Sequence, residues 1–126
     1  MKQVFLVFLG GGAGSVLRYL VSSNLNPAYN LPMGTFLVNI TGSLIIGLVL
    51  GLGLKQELLS PNTSLFLATG FCGGFTTFSA FSYENQQLLK TGDFLHFGIY
   101  AAGSIVLGIA AVLLGLYLAR LLEGFL

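Results

Sequence analysis

Apolar residues gather in four long stretches separated by short polar segments. Val4 to Val21 is the first, interrupted by Arg18 near its end. Gly34 to Leu54 is the second, with no charge in 21 residues. Leu65 to Tyr83 is the third, also uncharged, and its apolar positions continue toward Leu89. Phe97 to Ala119 is the fourth, with no charge in 23 residues. A helix crosses the hydrocarbon core with about 20 mostly apolar residues, so each stretch predicts one transmembrane helix. The connections, 22–33, 55–63 and 90–96, carry turn signals such as Asn26-Pro27, Pro61-Asn62 and Thr91-Gly92-Asp93. Such short loops join antiparallel neighbours and leave no room for a soluble catalytic domain. The expectation is an all-α membrane protein with one four-span domain over residues 1–126.

The third stretch breaks its own pattern. In Gly70-Phe71-Cys72-Gly73-Gly74-Phe75-Thr76-Thr77-Phe78-Ser79-Ala80-Phe81-Ser82, two adjacent glycines lead into two threonines and two serines. Lipid offers no water to a loosened backbone, so an interruption there must be covered by protein or a hydrated cavity. Broken helices of this kind put main-chain carbonyls where an ion can use them. The third helix is therefore expected to break in its middle, and the chain to handle ions.

Composition narrows the classes. Hydrophobic residues make up 55% of the 126-residue chain and charged residues 7%. A soluble domain carries about 25% charged residues, so this surface suits lipid rather than water. Net charge is +1 with no basic patch, which leaves nucleic-acid binding unsupported. One cysteine, Cys72, and one histidine, His96, cannot build a structural zinc site or an internal disulfide. Cys72 reads as a small packing residue. Met1-Lys2 and the apolar run after it faintly resemble a signal peptide, but the run resumes beyond Gly14 and suits a first span better. No nucleophile, base or phosphate-loop pattern is present, so the chain does not read as an enzyme.

Small residues recur four apart: Gly10 and Gly14, Gly47 and Gly51, Gly70 and Gly74, Ser104 and Gly108. This spacing lets membrane helices approach closely. It fits packing between spans of one chain and a dimer interface equally well. With four spans, Lys2, Lys55 and Arg120 fall on one side of the membrane, against Lys90 and Arg18 on the other. Three against two is a weak orienting bias. A chain so balanced can insert both ways, which permits an antiparallel dimer.

Polar residues inside spans call for a reason. Thr35, Asn39 and Ser43 share one helix face at four-residue spacing. They read either as interhelical glue or as a polar stripe along a pathway, where the Asn39 amide would suit an anion. Phe71, Phe75, Phe78 and Phe81 form one aromatic face if the third span stays helical, with Ser79 and Ser82 beside it. That face reads as a core ridge or as ring edges, which are positive, turned toward an anion. Arg18 and Glu84 stand near span ends as snorkelling or vestibule charges. Tyr100 and Ser104, four apart, suit a polar interior, and Tyr100 equally a lipid-interface anchor.

Three motifs now carry a resemblance: Gly10-x-x-x-Gly14-x-x-x-Arg18-Tyr19, Gly34-Thr35-x-x-Val38-Asn39-x-x-Gly42-Ser43, and the third-span run from Gly70 to Ser82. Together they resemble the Fluc/CrcB fluoride-channel family, over three spans by motif and all four by layout. The resemblance implies a channel that exports fluoride passively across the bacterial inner membrane. It implies a dual-topology, antiparallel homodimer with two pores. Asn39, Phe78 and Phe81 would face fluoride; Ser79, Ser82 and Thr35 would extend the polar track, with Tyr100 and Ser104 joining it. Arg18 and Glu84 would belong to the vestibules. The carbonyls of Gly73 and Thr76 from both subunits would hold a structural sodium ion. Position 80 is Ala80 where several members have threonine, which removes a hydroxyl. Rival readings are a small multidrug-type proton-coupled exporter, which needs a membrane-embedded acid that the first span lacks, and a non-transporting assembly subunit.

Overall fold

The computed structural model describes residues 1–28, 30–56 and 58–125; the side chains of residues 54–56 and 123 are not described. The 55–63 loop expectation, including the Lys55 side chain, therefore lies partly outside the described residues. The described residues form helices and contain no strand. Helix α1 spans Lys2–Leu25 and leads into a 3₁₀ turn, Asn26–Ala28. Helix α2 spans Met33–Gln56. The third span begins with the short α3, Pro61–Ser64, continues as a π-helical segment, Leu65–Cys72, and ends its first half with α4, Gly73–Phe75. Helix α5, Phe78–Lys90, is its second half, and α6, Phe94–Glu123, is the fourth span. All four spans are long and apolar enough to cross a membrane. Each overruns its apolar stretch at both ends, because the capping residues sit in the polar flanks.

The caps follow local chemistry. Ser60 accepts a hydrogen bond from the Thr63 N–H at 3.1 Å, with Pro61 in the first turn of α3. Asp93 accepts from the His96 N–H at 3.3 Å and lies 2.7 Å from His96 Nδ1. That histidine holds the Asp93 carboxyl below the usual aspartate range, chiefly through the side-chain hydrogen bond. Gly92, at φ 77°, supplies the left-handed residue that ends α5. The cap of α2 comes from farther away: Asn26 Oδ1 accepts from the N–H groups of Gly34, at 2.8 Å, and Thr35, at 3.2 Å.

Packing pairs the spans. Helix α1 lies along the π segment and α4, while α2 lies along α6. Glycines make both approaches possible. A Cβ on Gly10 or Gly14 would run into the backbone at Phe66 or Phe71, and one on Gly74 into the Gly11 carbonyl. In the other seam a Cβ on Gly47 would meet the Val112 carbonyl, and one on Gly115 the Leu44 carbonyl. The four-residue spacings of these glycines are thus used within the chain. The π segment belongs to the same device: its extra residue per turn widens the third span where α1 presses on it. Only 11% to 28% of each span's most apolar window is buried within the chain, so most of the remaining surface faces lipid or a partner.

Candidate functional site

The interruption of the third span falls at the threonines, not at the glycine pair. Gly73 and Gly74 remain helical, and Thr76 (ψ 157°) and Thr77 (φ −150°, ψ 124°) run extended. Gly74 is held in place by its contact with α1, and the chain opens just beyond it.

Side chains from two other spans satisfy the loosened backbone. Asn39 Nδ2 donates to the Thr77 carbonyl at 3.1 Å, and Asn39 Oδ1 accepts from the Thr77 N–H at 2.7 Å. Arg18 Nε and Ser15 Oγ both donate to the Gly74 carbonyl, at 3.0 and 3.3 Å. Thr76 closes the upstream half by donating from its N–H and its hydroxyl to the Cys72 carbonyl, at 2.9 and 2.7 Å. Thr77 Oγ1 opens the downstream half by accepting from the Ala80 N–H at 3.2 Å. A break at membrane depth costs several kcal/mol per unpaired group, and each of these bonds offsets part of that cost.

The carbonyls of Gly73, Phe75 and Thr76 are left without a hydrogen-bond donor among the described residues. In a continuous helix the Thr77 N–H would serve the Gly73 carbonyl and the Ala80 N–H the Thr76 carbonyl. Both donors are turned elsewhere, to Asn39 and to the Thr77 hydroxyl. Gly73 is exposed, and a Cβ there would meet no atom within 4 Å. Among the described residues no group of three His, Cys, Asp or Glu side chains comes together to hold a metal. Carbonyl oxygens at an unwound segment are a donor set that suits an alkali cation.

Beside the break lies a cavity of about 400 Å³, lined among others by Asn39, Ser43, Thr76, Phe78, Phe81 and Ser104. Ser104 Oγ is buried there with no hydrogen-bond partner among the described residues. Asn39 offers a second amide N–H beyond the one given to Thr77. The aromatic face read from the sequence is divided by the break. Phe71 stacks on Phe75 with ring centroids 5.5 Å apart, while Phe78 pairs with Phe81 at 5.8 Å and Phe81 with Tyr100 at 5.2 Å. Phe78 is 79% exposed on the chain by itself. Ser79 and Ser82 are exposed on α5 and do not line this cavity.

A second polar cluster sits one turn beyond Phe81. Glu84 accepts from the Thr35 hydroxyl at 2.6 Å, the Tyr100 hydroxyl at 2.7 Å and Asn26 Nδ2 at 3.3 Å. Among the described residues no lysine or arginine lies within ion-pair distance of it. Hydrogen bonds from neutral donors hold its carboxyl group instead. Thr35 and Tyr100 are buried, at 1% and 3% exposure, so Tyr100 is no lipid-interface anchor. Arg18 and Glu84, both assigned to vestibules from the sequence, belong to different constellations: the first to the break, the second to this cluster. Sequence reading missed Asn26, Ser15 and Thr77. Only Thr77 left a signal, as a cap residue three before Ala80 at a helix start.

The matches to known proteins cover nearly the whole chain. A family model described as "CrcB-like protein, Camphor Resistance (CrcB)" matches residues 5–116. A protein of Gloeothece citriformis named "Fluoride-specific ion channel FluC" is 51% identical over 122 residues, covering 95% of this chain and 98% of that one. One of Azobacteroides pseudotrichonymphae with the same name is 47% identical, covering 95% and 98%. Another, of Chlorobium phaeobacteroides, is 48% identical over 125 residues, covering 96% and 97%.

Proposed function

Because the chain belongs to the CrcB family, we propose that it conducts fluoride passively as an antiparallel homodimer with two pores and a structural sodium ion. The family is one of ion channels rather than enzymes, and the chain is a multi-pass bacterial membrane protein with four spans. The observation that carries the fluoride reading is the cavity beside the break. Among the described residues it gathers the Asn39 amide, a Ser104 hydroxyl with no hydrogen-bond partner and the rings of Phe78 and Phe81, with no cationic side chain in the lining.

These donors suit a small, strongly hydrated anion. An anion entering the cavity must exchange water for N–H, O–H and ring-edge contacts. The first turn of α5 begins at Phe78 and adds the positive end of a helix dipole. None of these groups carries a full charge, so the anion can be held and still released, as conduction requires. The row Phe78, Phe81, Tyr100 leads from the cavity to the Glu84 cluster, where the Thr35 and Tyr100 hydroxyls are already oriented. Ser79 and Ser82, exposed on the single chain, would complete the track only against a partner subunit. The Gly73 and Thr76 carbonyls, deprived of their helical donors, would hold sodium, which supplies a fixed positive charge fastening the two subunits.

Purified protein reconstituted into fluoride-loaded liposomes tests the reading. Fluoride should leave at once when charge compensation is allowed, and chloride far more slowly. Efflux no faster than from protein-free liposomes overturns it.

A further inference from the structure

The geometry points to Thr77 as the positioning residue that builds the cation site, an inference resting on the sodium reading above. Two carbonyls can serve a cation only if the helix does not reclaim them. Thr77 prevents both recoveries at once. Its backbone N–H, which would return to the Gly73 carbonyl, is turned 2.7 Å from Asn39 Oδ1. Its hydroxyl takes the Ala80 N–H at 3.2 Å, the donor that would return to the Thr76 carbonyl. The hydroxyl thus acts as the N-cap of α5, replacing a main-chain acceptor with a side-chain one. Its extended backbone (φ −150°) fits this task, because an N-cap residue stands outside the helix it starts.

Asn39 shares the work from the second span. Its amide brackets the Thr77 peptide on both sides, accepting from the N–H and donating to the carbonyl. The residue assigned to the anion cavity therefore also keeps the Gly73 carbonyl free. Cation site and anion cavity adjoin along Gly73, Thr76 and Thr77, all three of which line the cavity.

Sodium-dependent stability distinguishes this role from a general one. Detergent-purified protein, exchanged into N-methylglucamine chloride, is titrated with sodium chloride while thermal midpoint and dimer fraction are followed. Wild type should show a saturable rise in both. Thr77→Val and Thr77→Ala lack the hydroxyl and should need roughly five- to tenfold more sodium for the half-maximal rise, the size of one lost cap. Thr77→Ser keeps the hydroxyl and should titrate like wild type. Asn39→Ala should shift the titration in the same direction as Thr77→Ala. A wild-type sodium midpoint in both Thr77→Val and Thr77→Ala overturns the positioning role while leaving the sodium reading standing. No sodium response in wild type overturns the sodium reading itself, and this inference with it. The alanine variant covers the case in which a β-branched apolar side chain prevents folding.

Discussion

Asn39 shows how one side chain can meet two demands. From the sequence it stood as interhelical glue or as part of a pathway. The structure gives it the first role through both bonds to Thr77. Asn39 also lines the cavity and has a second amide N–H, so the second role stays open to it. Phe78 and Phe81 carry the same ambiguity, since their rings pair with each other and also line the cavity. Removing a hydrogen bond to a charged group costs about 1.5–3 kcal/mol, a factor of roughly ten or more in rate if the contact matters to transport. Asn39→Ala should therefore cut fluoride efflux about tenfold or more. Phe78→Ile and Phe81→Ile keep the bulk and lose the ring edge, and should reduce efflux while the protein still elutes as a dimer. Liposome efflux with size-exclusion chromatography checks this, and undiminished flux would return all three to packing.

The helices are set by two seams of glycine. In water a glycine within a helix costs about 1 kcal/mol against alanine. Here the cost is offset by contacts that no Cβ would allow, as at Gly47 against Val112 and Gly115 against Leu44. Gly47→Ala and Gly115→Ala should each destabilise the fold by about 1–3 kcal/mol, the usual cost of overpacking. Gly98 on α6 meets nothing within 4 Å of a Cβ, so Gly98→Ala should be neutral or stabilising by up to about 1 kcal/mol. Denaturant unfolding in detergent, with efflux as a check on the native state, would show the contrast. The third span adds the complementary case. The sequence predicts a helix broken in its middle, and the structure has one; the break lies two residues past the glycine pair, and Gly74 stays helical against the Gly11 carbonyl of α1.

For the molecule as a whole, the single chain leaves its break half-covered. Gly73, Phe78, Ser79 and Ser82 are exposed on one chain, although the break itself is fully engaged on its other side. A polar, carbonyl-bearing surface at membrane depth needs protein or a hydrated cavity against it, a need that the proposed second copy would meet. The five basic residues divide nearly evenly between the two sides, a weak orienting bias, and the proposed antiparallel dimer requires insertion in both orientations. Reporter fusions at the C-terminus should therefore show activity on both sides of the membrane. Adding two lysines beside Lys2 should bias insertion toward one orientation and lower fluoride efflux from cells. A single orientation in the unmodified chain would count against the antiparallel dimer.

Short-range regularities were legible in the sequence. Four apolar stretches specify four spans because lipid selects each segment by its own composition. The Gly/Thr run announced a break because glycine and β-branched hydroxyl residues weaken a helix wherever they stand. The residue pattern also carried the family. Tertiary structure decided the partners. That Asn39 grips Thr77, that Arg18 and Ser15 share the Gly74 carbonyl, and that Asn26 reaches Glu84 are contacts between residues 38, 56, 59 and 58 positions apart. Such bonds exist only once the spans have packed, and no local period encodes them. The aromatic row shows the limit most plainly: its spacing was helical, yet the backbone opens between Phe75 and Phe78, because the hydrogen bonds gathered from two other spans outweigh the helix it would otherwise continue.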